Sequence, residues 1–370
     1  MRATSRLRFG LPQLSVLIAG LGLLWLLTAL PTLVATPNWA EDFEAYGAAV
    51  ERLAESGTLY RLESLAGGFQ PQGEGYYLYP PPFAIGFSPI AGLDAETGAL
   101  AWYLLKVGAL ALAAACLPVR PTTRLLAFGV SAFGFAVVRD LTMGNVSLLL
   151  LLALAAGWRW LDRPAGSIAL GLATAVKGPT GVFLLWFAAR RAWRPLAWMV
   201  ATGLVVIVLS LPFVGLAGYL DYASMLTNVS DTATASQNRH VAVLAAELGL
   251  PATWRWSFLL ATWILALGAV LLSTRRDPSM SYIVTASATL ILAPLIWDHY
   301  LVVLMLPAAF LFERGRRWGI VLPLCSWAPA PLLPLVAVAA LLLPFLARGS
   351  GAPASVRPTH EGVPAPHPAV

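Results

Sequence analysis

Apolar runs of helix length recur along nearly the whole chain, and this pattern decides most of what it can fold into. The first, Leu11 to Ala35, contains no charged residue. It exceeds the ~20 residues a helix needs to cross a ~30 Å hydrocarbon core. It is too long for a signal-peptide core and lacks a small-residue cleavage site, so it reads as an uncleaved first span. Of 370 residues, 58% are hydrophobic and 11% charged, against roughly 25% charged in a soluble domain. The runs are continuous rather than alternating, which argues against a β-barrel. The predicted fold class is therefore all-α: a polytopic transmembrane helical bundle. Cys116 and Cys325 sit in apolar surroundings without metal-ligand spacing and read as core residues.

The formal net charge is +6, but where the charges sit says more than their sum, and no nucleic-acid partner is implied. Only Lys106 and Lys177 among the basic residues are lysines, a bias that points to a GC-rich bacterial genome. Arginines cluster between apolar runs, at Arg2/Arg6/Arg8, Arg120/Arg124, Arg159/Arg163, Arg190/Arg191/Arg194, Arg275/Arg276, Arg314/Arg316/Arg317 and Arg348. The positive-inside rule assigns them, and the N-terminus, to the cytoplasm of a multi-pass protein of the bacterial inner membrane. Spans are then expected near 11–35, 98–117, 125–138, 146–160, 195–214, 256–274, 279–296 and 300–312, with an interfacial or re-entrant piece at 83–93 and a proline-rich hairpin over 318–347. Arginines flank 165–189 on both sides, so it is expected to break at Lys177-Gly178-Pro179 and return. Such breaks survive at membrane depth only where they line a cavity or pack in protein. Residues 1–348 form one expected membrane domain with large extracytoplasmic loops at 36–97 and 215–255, and 349–370 a disordered cytoplasmic tail.

On this threading most acids fall outside, although acids contribute little to orientation. The outer face therefore has work of its own. Residues 41–56 predict an amphipathic helix with Phe43, Tyr46, Val50 and Leu53 as its apolar stripe. Glu44, Glu51 and Glu55 fall on the far side, while Asp42 lands at the edge of the stripe. Asp42 either favours the helix N-terminus electrostatically or points to a membrane-facing cavity. In "GYYLYPPPFAIGF" the prolines exclude helix interior and suit Pro82 to begin a helix. Tyr76, Tyr77 and Tyr79 before them form an interfacial belt or the wall of a sugar or lipid site.

The order of motifs resembles glycosyltransferase family 87. These motifs are "DFEAY" after the first span, "GTLY", "YLYPPPFAI", "GNVSLLLLLAL", the intramembrane "VKGPTG", "SQNRH" and "WDHYLVVLMLP". That family comprises integral-membrane class C enzymes, among them mycobacterial polyprenol-phosphate-mannose-dependent α-1,2-mannosyltransferases. The resemblance implies a class C bundle whose first outer loop carries a catalytic aspartate, at the position of Asp42 here. It implies an inverting hexose transfer, of mannose in the typical case, from a polyprenyl phosphate donor to a hydroxyl of a cell-envelope glycolipid or glycan. No cofactor or metal is implied.

Such chemistry needs one base for the acceptor hydroxyl and cations or donors for the departing phosphate. An ordinary aspartate is ionised at neutral pH and serves as that base. Lys177 is an ionisable residue in an apolar segment and hence a functional candidate by default. Arg139, Arg239, His240 and His299 are the other candidates for the donor phosphate or sugar, His299 at the family's position. Tyr46, Tyr79, Asn238 and Trp297 are candidates for acceptor or sugar contact. Gly144-Asn145 reads as turn chemistry, and Asp140 as a possible partner of Lys177. The alternative class is a transporter or lipid-linked sugar flippase. It explains the broken helix but not the acid- and aromatic-rich first loop.

Overall fold

In the computed structural model, residues 10–36, 39–69, 76–161, 163–229, 238–293 and 295–347 are described. Among them the chain is helical throughout, with one isolated β-bridge, Phe69 to Val229. The first helix, α1 (Leu11–Val34), is followed by α2 (Glu41–Ser56), short α3 (Leu62–Ala66) and α4 (Pro81–Ala91). The membrane-type helices that follow are α5 (Ala95–Cys116), α6 (Pro121–Ala132), α7 (Phe135–Met143), α8 (Ser147–Arg159), α9 (Pro164–Val176), α10 (Val182–Ala189) and α11 (Trp193–Asn228). Then come α12 (Val241–Glu247), α13 (Ala252–Ser273), α14 (Pro278–Leu292), α15 (Met305–Glu313) and α16 (Leu333–Leu342). Among the described residues four helices are long and apolar enough to cross a membrane, or five when α6 and α7 count as one bent span.

α14 is the hub. Every residue from Met280 to Ile291 is buried, as expected of a helix apolar on all sides. α1 packs along α6, where Gly22 and Gly129 let the backbones approach: a Cβ on Gly129 would stand 2.5 Å from the Ile18 carbonyl oxygen. Without a hydrophobic driving force between helices in lipid, small residues of this kind set the contact. The arginine-bearing turns meet at one end, where Arg120 pairs with Glu313 and Arg314 with Asp277.

Several sequence expectations hold. α2 spans the expected 41–56, with Phe43 and Tyr46 buried and Glu44, Glu51 and Glu55 exposed. The segment 164–189 breaks at Lys177, which separates α9 from a 3-10 turn, Gly178–Gly181, and α10. Arg163 and Arg194 line one pocket, so the segment returns to the end it left. Others need correction. The expected straight span 125–138 is the α6–α7 pair, bent by 62°, because Gly134 allows close packing against the Pro323 carbonyl. The span expected to end at 214 does break there: Gly215, at φ +60° and ψ −175°, leaves the helical conformation inside α11, and a second helical stretch then runs to Asn228 into the expected second loop. The span at 300–312 opens as a 3-10 helix, Asp298–Leu304, before α15. α4 starts at Pro81 rather than Pro82. The expected tail at 349–370 lies outside the described residues.

We predict that Gly129→Ala lowers the melting temperature in detergent, at a cost of about 1–3 kcal/mol for overpacking, while Gly20→Ala, with nothing within 4 Å of its would-be Cβ, leaves it unchanged. Equal melting of the two variants would refute the close α1–α6 contact.

Candidate active site

The α7–α8 turn is the foundation of the site. Gly144 ends α7 in the left-handed conformation, φ +74°, and its amide bonds back to the Asp140 carbonyl. The Asn145 amide does the same at 3.1 Å. Asp140 also accepts the Ser147 amide on its carboxylate at 3.0 Å, which joins the end of α7 to the start of α8. This doubly used aspartate is fully buried and so is its counter-ion, Lys106 of α5. The Lys106 ammonium donates to the Asp140 carbonyl at 2.7 Å and lies 3.5 Å from its carboxylate. Trp102, one turn away on α5, donates its indole N–H to the Gly144 carbonyl at 2.6 Å.

Asn145 projects from this turn as a fork. Ser147 Oγ donates to its Oδ1 at 2.9 Å, which leaves the Nδ2 hydrogens for other partners. One goes to Asp42 Oδ2 at 2.6 Å and the other to the Tyr79 hydroxyl at 2.9 Å. α2 is docked to the same turn by the Ala40 amide, which donates to the Thr142 carbonyl at 2.8 Å, and by Phe43, whose Cβ would lie 2.8 Å from any Cβ on Gly144. Asp42 is thus half-buried, on the bundle side of α2. Burial pushes its carboxyl above the usual range, and the Asn145 hydrogen bond and the Lys177 charge oppose that shift.

Across from Asp42, the Lys177 ammonium sits 3.5 Å from the centroid of the Tyr300 ring and 5.2 Å from that of Tyr79. Among the described residues its nitrogen has no hydrogen-bond partner, and neither does His299 Nε2. The His299 ring packs on Tyr300 and Trp297 and lies in the field of Lys177 and Arg139. Lys177 also lines a cavity of about 40 Å³ with Ser147, Thr180, Thr289 and Tyr300. A wider apolar groove of about 600 Å³ runs between α4, α5, α8 and α9, lined by Phe83, Phe87, Trp102, Val146, Leu150 and Val176. It borders the residues next to Asn145 and Lys177.

The candidates therefore divide. Asp42, Lys177 and His299 come together, with Arg139 close enough to act on the His299 ring. Arg239 does not offer a free charge, because its guanidinium is clamped on Asp298 at 2.8 and 3.3 Å. The Asn238 carbonyl oxygen is taken by the His240 and Ile296 amides, and His240 Nε2 lies 3.2 Å from the Ile291 carbonyl. These three residues pin residues 238–240 to the segment that leads into His299. Tyr46 is only 1% exposed. Its ring meets Tyr79, Phe83 and Phe87 edge-on at 4.8–5.3 Å, so it builds the wall rather than touching a sugar. Tyr79, also buried, presents only its hydroxyl, to Tyr46 and Asn145. Trp297 is half-exposed beside His299. Asp140 pairs with Lys106, not Lys177. Sequence reasoning passed over Asn145 and Lys106. Lys106 carried a usable signal, an ionisable residue amid an apolar span. Among the described residues no group of three His, Cys, Asp or Glu side chains forms a metal site.

The model of glycosyltransferase family 87 matches residues 77–297, more than half of the chain. The chain belongs to glycosyltransferase family 87. Asn145, Lys177 and Trp297 lie inside the matched stretch, while Asp42 precedes it and His299 follows it. A polyprenol-phosphate-mannose-dependent alpha-(1-2)-phosphatidylinositol mannoside mannosyltransferase of Mycolicibacterium smegmatis is 27% identical over 306 residues, covering 70% of this chain and 68% of the relative. Its counterpart from Mycobacterium tuberculosis is 26% identical over 296 residues, covering 70% and 69%. No solved structure matches the chain. The family makes the protein a membrane glycosyltransferase, and the transporter reading is set aside.

We predict that Asn145→Ala moves the acid limb of the rate profile to higher pH. Asp42 must be ionised to accept a proton. The Asn145 hydrogen bond, with the charges of Lys177 and Lys106, holds the Asp42 carboxyl down against burial, so its loss raises the pH at which the carboxylate forms. The readout is turnover against pH, and an unmoved limb would show that Asn145 does not act on the reacting carboxylate.

Proposed function

We propose that this enzyme transfers a hexose, mannose by analogy with the relatives' names, from a polyprenyl phosphate to a hydroxyl of a cell-envelope glycolipid, and does so on the extracytoplasmic face. The observation that carries this reading is the pairing of Asp42, aimed by Asn145, with a nearby ammonium, Lys177, whose nitrogen is shielded from solvent yet has no hydrogen-bond partner among the described residues. The acceptor hydroxyl loses its proton to Asp42 as its oxygen bonds to the anomeric carbon. The bond from that carbon to the phosphate oxygen breaks, and its electron pair leaves with the phosphate. A single displacement inverts the anomeric centre, so a β-linked donor gives an α product.

Lys177, Arg139 and the His299 ring take up the charge on the departing phosphate; cations placed where charge develops are the largest contributor in such reactions. The apolar groove beside Val146 and Val176 suits the prenyl chain, whose phosphate end then meets Lys177. Arg239, His240 and Asn238 act indirectly, by fixing the approach to His299. The positive-inside rule favours a cytoplasmic location for the arginine-bearing end, which supports an extracytoplasmic Asp42 region.

The test uses protein in lipid with labelled mannosyl phosphopolyprenol and an envelope glycolipid extract. We predict that Asp42→Asn loses about 10²–10⁴-fold in turnover, the usual worth of a general base, while donor binding persists. Lys177→Met weakens donor binding as well. Full activity of Asp42→Asn would overturn the base assignment, and unchanged donor affinity in Lys177→Met would overturn the phosphate site.

A further inference from the structure

The starts of α9 and α11 face each other across a second cavity, of about 550 Å³, far from Asp42. By the 1.5 Å rise per residue, it lies roughly 20 Å along α9 from Lys177. Its lining combines Arg163 and Arg194 with Pro164, Pro195, Ala197 and Trp198, and among the described residues no acid contributes. Four other boundary arginines are engaged: Arg120 on Glu313, Arg314 on Asp277, Arg124 on the Leu117 carbonyl and Arg316 on the Leu346 carbonyl. Neither the Arg163 nor the Arg194 guanidinium has such a partner among the described residues, and both residues are exposed. Two helices also begin here, each with a proline in its first turns, so the positive ends of two helix dipoles add to the two cations.

The cavity does not end in water. Arg194, Ala197, Trp198 and Ala201 recur at helical spacing along one face of α11, and Val205 and Val208 continue the same stripe with more than half of their surface exposed. A ligand with an anionic head and a long apolar body fits this continuity, with Trp198 at the join, where an amphipathic ring prefers to lie. We propose that this cavity binds the phosphate of an anionic membrane phospholipid, whose acyl chains lie along the Val205–Val208 face of α11. The site is separate from the catalytic one and stands whatever sugar the enzyme transfers.

The experiment is native mass spectrometry of the detergent-purified full chain offered an equimolar mixture of phosphatidylglycerol and phosphatidylcholine. Each guanidinium near a phosphate is worth about fivefold in affinity for an anionic lipid. The wild type is expected to retain phosphatidylglycerol selectively. Arg163→Gln and Arg194→Gln should each reduce that preference about fivefold, and the double variant should nearly abolish it. Arg275→Gln/Arg276→Gln removes the same charge from an exposed turn and should leave the preference intact. Because both pocket arginines are exposed, the single variants should stay monodisperse and report on binding alone. Undiminished selectivity in the double variant overturns the proposal. So does an equal loss in the Arg275/Arg276 control, which means bulk charge, or displacement of the lipid by millimolar inorganic phosphate, which means a free-anion site.

Discussion

The buried Lys106–Asp140 pair is what the catalytic geometry depends on. A charge pair withdrawn from solvent is a poor source of net stability, because desolvation offsets most of the attraction. Removing one partner is another matter, since it strands a charge in an apolar interior. The pair therefore acts as a constraint: Asp140 stays where it can close the end of α7 onto the start of α8, and the Gly144-Asn145 turn has one available shape. Asn145 inherits its direction from that turn, and Asp42 inherits its orientation from Asn145. The chain of dependence runs from an ion pair in the bundle to the carboxylate of an amphipathic helix separated from Lys106's helix by α3 and α4 in sequence.

A second layer holds α2 against the bundle. Tyr46 sits among Tyr77, Tyr79, Phe83, Phe87 and Trp102 in edge-to-face contacts, each worth about 0.5–1.5 kcal/mol beyond area burial. The same Phe83, Phe87 and Trp102 form one wall of the apolar groove. The packing that seats Asp42 thus also shapes the groove next to it, and a substitution there disturbs both together.

Much of this was legible in the sequence, for reasons that can be named. α2 was readable to the residue because its apolar stripe, charged face and terminating Gly57 all agree. The break at Lys177 was readable because arginines on both flanks forbid a single crossing. The bend between α6 and α7 was not, since Gly134 looks like any tolerated glycine until Pro323 packs against it. Nor was the helical stretch over 216–228, which follows the break at Gly215 inside the expected second loop. At the site, Asp42 and Lys177 stood out by charge in apolar context. Asn145 did not: an asparagine after a glycine announces a turn, and only the tertiary partners Ser147 and Tyr79 reveal that its amide is aimed. Arg239 misled because a sequence cannot show that Asp298 already occupies its guanidinium.

α8 and α9 are each 13 residues long, so each rises only about 20 Å before reaching Asn145 or Lys177. The hydrocarbon layer is about 30 Å thick, and both residues consequently lie below headgroup level when the arginine turns rest at the opposite surface. Under the proposed function, a lipid-borne donor can then present its anomeric carbon without being lifted from the bilayer, and the sugar dips while the prenyl chain stays in place. At that depth water is scarce, and the rival nucleophile that would squander the activated sugar by hydrolysis is kept dilute by the membrane itself.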